Sequence, residues 1–234
     1  MISNRNLIIL PTYNEKDNII LFISQLLSRV KADVLVIDDN SPDNTGFIVE
    51  QMAKEHPSIF VLHRPHKMGL GSAYVAGFKW ALEKNYEIII QMDSDFSHDP
   101  SDLNKLLDAM PMCDFALGSR YVDGGTIQNW PWVRLWVSSF GSFYARTVLG
   151  MEIQDFTTGF KVFKKKVIES FNLEKILSDG YAFQIETTYK AIQNGFKVKE
   201  IPITFKDRTR GQSKISRRVV WEALWIVWRL KFAL

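Results

Sequence analysis

Five short apolar runs constrain this chain more than any other feature, because four of them lead straight into polar clusters. Residues 7–10 (LIIL), 34–37 (VLVI), 59–62 (IFVL), 86–90 (YEIII) and 115–117 (FAL) read as strands. Segments of helical length, 16–30, 44–55, 71–84 and 101–110, separate them. The runs are continuous rather than alternating, as burial on both faces requires. An α/β fold with a mostly parallel sheet, covered by helices on both sides, is therefore expected. Ser41-Pro42 and Asp99-Pro100-Ser101 mark two of the helix starts.

In such sheets ligands bind beyond the C-terminal ends of the strands. The polar residues fall there: Pro11-Thr12-Tyr13-Asn14-Glu15, Asp38-Asp39-Asn40-Ser41, Asp93-Ser94-Asp95 and Gly118-Ser119-Arg120. One shared cleft is expected. Asp93 and Asp95, two apart and just past a strand, can turn together toward it and offer oxygen to a hard cation such as Mg²⁺ or Mn²⁺. A turn stabilised by capping aspartates is the other reading of that triplet. Asp38 and Asp39 suit a ribose hydroxyl or a base N–H; they also suit the positive end of the next helix. The chain lacks G-x-G-x-x-G after its first strand and lacks G-x-x-x-x-G-K-[ST]. This argues against dinucleotide oxidoreduction and P-loop hydrolysis.

The second half is less regular. Gly124-Gly125 opens a loop, and helices are expected over 132–149 and 180–194. A short strand is expected at 161–164, another strand at 196–205, and a final helix at 215–232. The net charge of +3 makes no case for nucleic acid, but its placement is informative. From Lys206 onward there are eight basic residues against two acidic. Arg208, Arg210 and Lys214 fill the loop DRTRGQSK; with Arg120 and Arg134 they form a set suited to phosphate oxygens. Trp221, Trp225 and Trp228 recur on one face of the final helix. With basic neighbours, that helix fits an anionic lipid surface, a partner protein or the core. The expected organisation is a catalytic domain over 1–214 and an amphipathic membrane-associating helix over 215–234. The start meets Pro11 before a signal-peptide core can form, and no apolar stretch of ~18 residues is present. Together with a single cysteine, these features suggest a cytoplasmic protein held peripherally at the membrane.

LIILPTYNE, VLVIDDNSPD, MDSDFSHDP, GSRYVDGG, the WPxxR segment, DFTTGFKVF and DRTRGQSK together resemble the dolichyl-phosphate (polyprenyl-phosphate) mannosyltransferases. These are inverting family-two glycosyltransferases of the GT-A fold. The resemblance spans about residues 6–220 and implies transfer of mannose from GDP-mannose to a polyprenyl monophosphate. It implies that Pro11, Tyr13, Glu15, Asp38 and Asp39 line the nucleotide pocket, and that Asp93 and Asp95 hold the divalent ion. Ser97 stands where related enzymes often place a third ligand. Arg120, Arg134, Ser213 and Lys214 would bind the acceptor phosphate; Asp155 and Thr157-Thr158-Gly159 would lie near the donor sugar. Another nucleotide sugar such as UDP-glucose, or a non-lipid glycan acceptor, is the alternative. A separate membrane-anchoring subunit is compatible with the resemblance.

Overall fold

The computed structural model describes residues 5–130, 132–176, 178–207 and 217–232; at 133, 134, 137 and 217–223 it describes the backbone only. The expected strands form as β1 (Asn6–Thr12), β2 (Asp33–Asp38), β3 (Ile59–His63), β4 (Ile88–Gln91) and β5 (Phe115–Ser119). Helices α1 (Lys16–Arg29), α2 (Thr45–Glu55), α3 (Leu70–Glu83) and α4 (Leu103–Ala109) connect them. Strand β6 (Thr126–Gln128) and helix α5 (Trp132–Leu149) follow, then β7 (Lys161–Lys164) and the short α6 (Lys165–Glu169). The chain continues through α7 (Gly180–Gln193), β8 (Val198–Pro202), β9 (Thr204–Lys206) and α8 (Arg217–Phe232).

The main sheet has the order β3-β2-β1-β4-β7-β5-β8. β1 pairs in parallel with β2 on one side and β4 on the other. The chain thus builds outward from β1 in both directions, and the switch point opens a crevice beyond the ends of β1 and β4. β7 runs antiparallel between β4 and β5. The pleat sorts the apolar runs by alternation. Leu7, Ile9, Leu35, Ile37 and Ile89 enter one core with Tyr74, Phe78 and Phe183. Ile8, Leu10, Val34, Val36 and Ile90 enter the other with Ile19, Phe22 and Leu106.

One expectation about the second half is corrected. Segment 196–205 is not one strand. β8 ends at Pro202, whose missing N–H is tolerated on this edge strand. The chain then crosses to a separate two-stranded sheet, where β9 pairs with β6, a strand inside the expected glycine loop. Helix α8 packs into the first core through Ile226, Val227 and Leu230, and the Tyr144 hydroxyl of α5 donates to the Leu224 carbonyl (3.1 Å). Its opposite side exposes Trp225, Trp228 and Phe232. On α5, Trp132, Leu135, Trp136, Phe140 and Phe143 are exposed as well. Among the described residues no helix is long and apolar enough to cross a membrane.

Candidate active site

A cavity of about 390 Å³ opens at the switch point. Pro11, Thr12, Tyr13 and Glu15 line it from the end of β1, Asp39 from the end of β2, and Asp93, Ser94 and Asp95 from the end of β4. Thr157 and Gly159 close it on the side of β7; Asp179, Gly180, Tyr181 and Gln184 come from the start of α7. Lys67, Gly69, Leu70 and Ala73 complete the wall.

The two carboxylates after β4 are held by buried neighbours. The Tyr74 hydroxyl is shared between the Met92 carbonyl (3.1 Å) and Asp93 Oδ1 (3.2 Å). Burial, then the Asp93 charge, push its pKa well above the ordinary value, so it remains a donor. His98 Nδ1 accepts from the Asp93 backbone N–H (3.2 Å). This assigns the ring proton to Nε2, and burial lowers the histidine pKa in keeping with a neutral ring. Asp95 Oδ1 accepts from the Ser97 backbone N–H (3.0 Å) and hydroxyl (2.5 Å). Ser97 is buried and does not line the cavity. Ser97 thus orients Asp95 through two donated hydrogen bonds.

Among the described residues the cavity wall offers five carboxylates, Glu15, Asp39, Asp93, Asp95 and Asp179, and the ammonium of Lys67. Asp39 is balanced by buried Arg64, which donates to it through Nε (2.5 Å) and through a second guanidinium nitrogen. The other described carboxylates favour a cation between themselves and a diphosphate. Carboxylate oxygens on two neighbouring residues are the donor type that Mg²⁺ and Mn²⁺ prefer. Gly159 keeps the adjoining space open, because a Cβ there would sit 3.3 Å from Asp93 Oδ2. The residues present thus fit a divalent ion. Asp93 and Asp95 are the carboxylate pair that lines the cavity from the end of β4, and among the described residues no group of three or more His, Cys, Asp or Glu side chains could hold a metal ion.

Other sequence-predicted residues lie off the cavity. Asp38 is folded into the turn after β2, where its carboxylate accepts from the Ser41 hydroxyl (2.5 Å) and backbone N–H (3.1 Å). Arg120 and Asp155 form a buried pair: Nε to Oδ2 and Nη2 to Oδ1, both 2.7 Å. Arg120 Nη2 also donates to Thr157 Oγ1 (2.6 Å), and the Arg120 backbone N–H to Asp155 Oδ2 (3.0 Å). Burial works to lower the guanidinium pKa, but Asp155 more than reverses it, so the charge is locked on. The rings of Tyr121, Trp130 and Phe205 surround this guanidinium. Phe205 also meets His98 edge-on, and the Lys206 N–H donates to the Ser97 carbonyl (3.2 Å). The carboxylate loop and the chain entering the basic loop are thereby joined. Arg208, Ser213, Lys214 and the Arg134 side chain lie outside the described residues.

Asp179, Gly180, Tyr181 and Gln184 escape sequence reasoning. The Lys67 ammonium sits 4.5 Å over the Tyr13 ring centroid. Asp179 caps α7 by accepting from the Gly180 N–H (2.8 Å) and reaches back to the Gly71 N–H (2.7 Å). Gly69 adopts φ +95° against this carboxylate, so a side chain there is both strained and blocked. Asp179-Gly180 before a helix was the legible signal; its meeting with Gly71 was not.

Residues 7–171 match the family model described as Glycosyl transferase family 2. The chain is 44% identical over 228 residues to the polyprenol monophosphomannose synthase of Mycolicibacterium smegmatis, covering 96% of this chain and 86% of that one. It is 43% identical to the undecaprenyl-phosphate mannosyltransferase of Micrococcus luteus, covering 94% and 91%. To the dolichol-phosphate mannosyltransferase of Pyrococcus furiosus it is 34% identical, covering 95% and 62%. Among solved structures, glucosyl-3-phosphoglycerate synthase from Mycobacterium tuberculosis, in complex with Mn²⁺, UDP and glucosyl-3-phosphoglycerate, superposes with a TM-score of 0.69 at 16% identity, covering 96% of this chain and 80% of that one. The mannosyltransferase PcManGT from Pyrobaculum calidifontis, in complex with GDP-Man and Mn²⁺, gives 0.59 at 16% identity, covering 98% and 73%. These two likenesses establish the GT-A fold. On its family match and its relatives, the chain belongs to glycosyltransferase family 2, among the polyprenyl-phosphate and dolichyl-phosphate mannosyltransferases.

Proposed function

We propose that this enzyme transfers mannose from GDP-mannose to a polyprenyl monophosphate, with inversion, releasing GDP. The observation that carries the reading is the cavity at the switch point, whose described wall is rich in carboxylates and suits a sugar diphosphate held through a cation. The relatives named for polyprenol, undecaprenyl phosphate and dolichol phosphate support the acceptor class. Bound Mg²⁺ or Mn²⁺ supplies positive charge to the diphosphate as it leaves. Asp93 and Asp95 hold that ion, and Pro11, Tyr13, Glu15, Asp39 and Lys67 surround the nucleotide. The acceptor phosphate has a second pKa of about 6 and is largely ionised near neutral pH, so it needs no strong base. It needs positioning beside a second anion, which Arg120, Arg134, Arg208, Ser213 and Lys214 provide. One acceptor oxygen forms a bond to the anomeric carbon as the bond from that carbon to the diphosphate breaks on the opposite face.

The acceptor's chain requires a membrane. The exposed aromatic faces of α5 and α8, beside Arg229 and Lys231, suit the cytoplasmic face of an anionic bilayer. Replacing Trp225 and Trp228 by serine lowers binding to anionic vesicles by at least ~10-fold in a flotation assay. Unchanged flotation would locate the contact elsewhere. Transfer itself is tested with purified protein, GDP-mannose or UDP-glucose, and a short polyprenyl phosphate or a soluble glycan. Mannosyl lipid formed only with divalent ion is expected. Glucosyl lipid, or transfer to the glycan, overturns the donor or the acceptor assignment respectively.

A further inference from the structure

We propose that Gln184 reads the sugar of the donor: its side-chain amide N–H donates to a hydroxyl of the transferred hexose, in an orientation fixed by Gln91. This rests on the proposed donor chemistry and goes beyond it by assigning the sugar contact. Gln184 stands on α7, lines the cavity, and is only 2% exposed. Gln91 is fully buried in β4, two residues before Asp93, the one polar residue in that strand.

The amide orientations follow from one fixed acceptor. Gln91 Nε2 donates to the Gly159 carbonyl (3.2 Å) and to Gln184 Oε1 (2.6 Å). A carbonyl only accepts, so Gln91 must turn its nitrogen toward Gly159. The same nitrogen then meets Gln184, which must present its oxygen. The arrangement leaves Gln91 Oε1 buried without a partner, an energetic penalty this core retains. Gln184 is pinned at its backbone too, because buried Lys161 donates from Nζ to its carbonyl (2.8 Å). With Oε1 committed to the core, the polar atom Gln184 has for the cavity is Nε2, which no described residue accepts from.

Its place identifies the ligand chemistry. Gly159, which accepts from Gln91, is also the residue whose Cβ would approach Asp93 Oδ2. The Gln184 amide and the Asp93 carboxylate therefore flank the same short segment of cavity wall. If Asp93 meets the cation on the diphosphate, the group next along the donor is the sugar attached to its terminal phosphate. A sugar hydroxyl oxygen is the acceptor available there.

The test is calorimetric titration, with Mn²⁺, of wild type and Gln184→Met with GDP, GDP-mannose and GDP-linked monodeoxymannoses. Met keeps the volume and removes the donor, together with the oxygen that accepts from Gln91. GDP affinity is expected to stay within ~2-fold, while GDP-mannose binding weakens ~10-fold, as loss of one buried hydrogen bond implies. One deoxymannose donor should bind wild type ~10-fold more weakly and lose nothing further in the variant. Equal weakening of GDP and GDP-mannose, or the same loss for every deoxy donor in both proteins, overturns the assignment. Gln184→Glu is the second variant: it keeps the shape and the bond from Gln91 but replaces donor by acceptor. It should weaken GDP-mannose at least as much, with a lowered melting temperature because it adds a buried negative charge to a wall already rich in carboxylates. If wild type binds UDP-glucose and not GDP-mannose, the donor identity fails. The same comparison is then made between UDP and UDP-glucose, with the same two outcomes for Gln184.

Discussion

Replacing Asp95 by asparagine lowers kcat for sugar transfer by about 10²–10³-fold, the range seen when one preorganised electrostatic contact is removed. The fold is expected to survive. Asn keeps the shape, and its side-chain oxygen can still accept from the Ser97 N–H and hydroxyl that now hold Asp95 Oδ1. The described cavity wall carries five carboxylates, so removing one negative charge relieves repulsion among them. Activity and stability should therefore move in opposite directions: a collapse in kcat with a melting temperature equal to or above wild type. A parallel fall in both would recast Asp95 as a structural turn residue. Activity within ~10-fold of wild type would remove it from the chemistry.

Arg120→Met produces the largest stability loss, about 3–5 kcal/mol, because it strands a buried carboxylate. Asp155 is fully buried, and Arg120 supplies two side-chain bonds as well as a backbone bond to it. The backbone N–H groups of Gln154 and Asp155 are in turn held by Glu200 at 2.8 and 3.0 Å, so the loop has little freedom to relax. For a chain of this size the melting temperature should fall by about 6–20 °C. Arg120→Met combined with Asp155→Leu should recover much of that loss, since a well-packed apolar pair replaces a buried ion pair at little cost. The double variant also separates two roles. If the guanidinium draws the acceptor phosphate, as proposed, the restored fold will still show a raised KM for polyprenyl phosphate and an unchanged KM for the nucleotide sugar. Normal acceptor kinetics in the stable double variant would confine Arg120 to the loop it braces.

The strands and the site they converge on were legible because burial on two faces leaves long apolar runs, and each run stops where the chain must meet solvent or ligand. Asp93 and Asp95 were readable for that reason. Asp38 and Asp39 look alike in the sequence, yet Asp39 faces the cavity while Asp38 closes its own turn. The pleat that sorts residues inside β2 no longer applies beyond its end. Arg120 announces a charge, but its partner lies 35 residues away and no local pattern encodes that pairing. β7 was visible as a short strand; its insertion between β4 and β5 in reverse direction is a long-range choice. In α8 the apolar residues run nearly all round the helix. Periodicity alone did not reveal that Ile226, Val227 and Leu230 are the ones that enter the core. Gln91 carried a signal that sequence reasoning passed over: a lone amide in the run IIIQM, where burial demands a partner.

The proposed mechanism requires the two carboxylates beyond β4 to hold a divalent ion on the nucleotide diphosphate. Electron paramagnetic resonance of Mn²⁺ measures this directly, since the free aquo ion has a sharp signal that fades on binding. In wild type, adding GDP should remove most of the free signal at equimolar protein. In Asp93→Asn and Asp95→Asn the free signal should persist at the level given by GDP alone. Full loss of the free Mn²⁺ signal in both variants would contradict the account, because the ion would then be held by other groups.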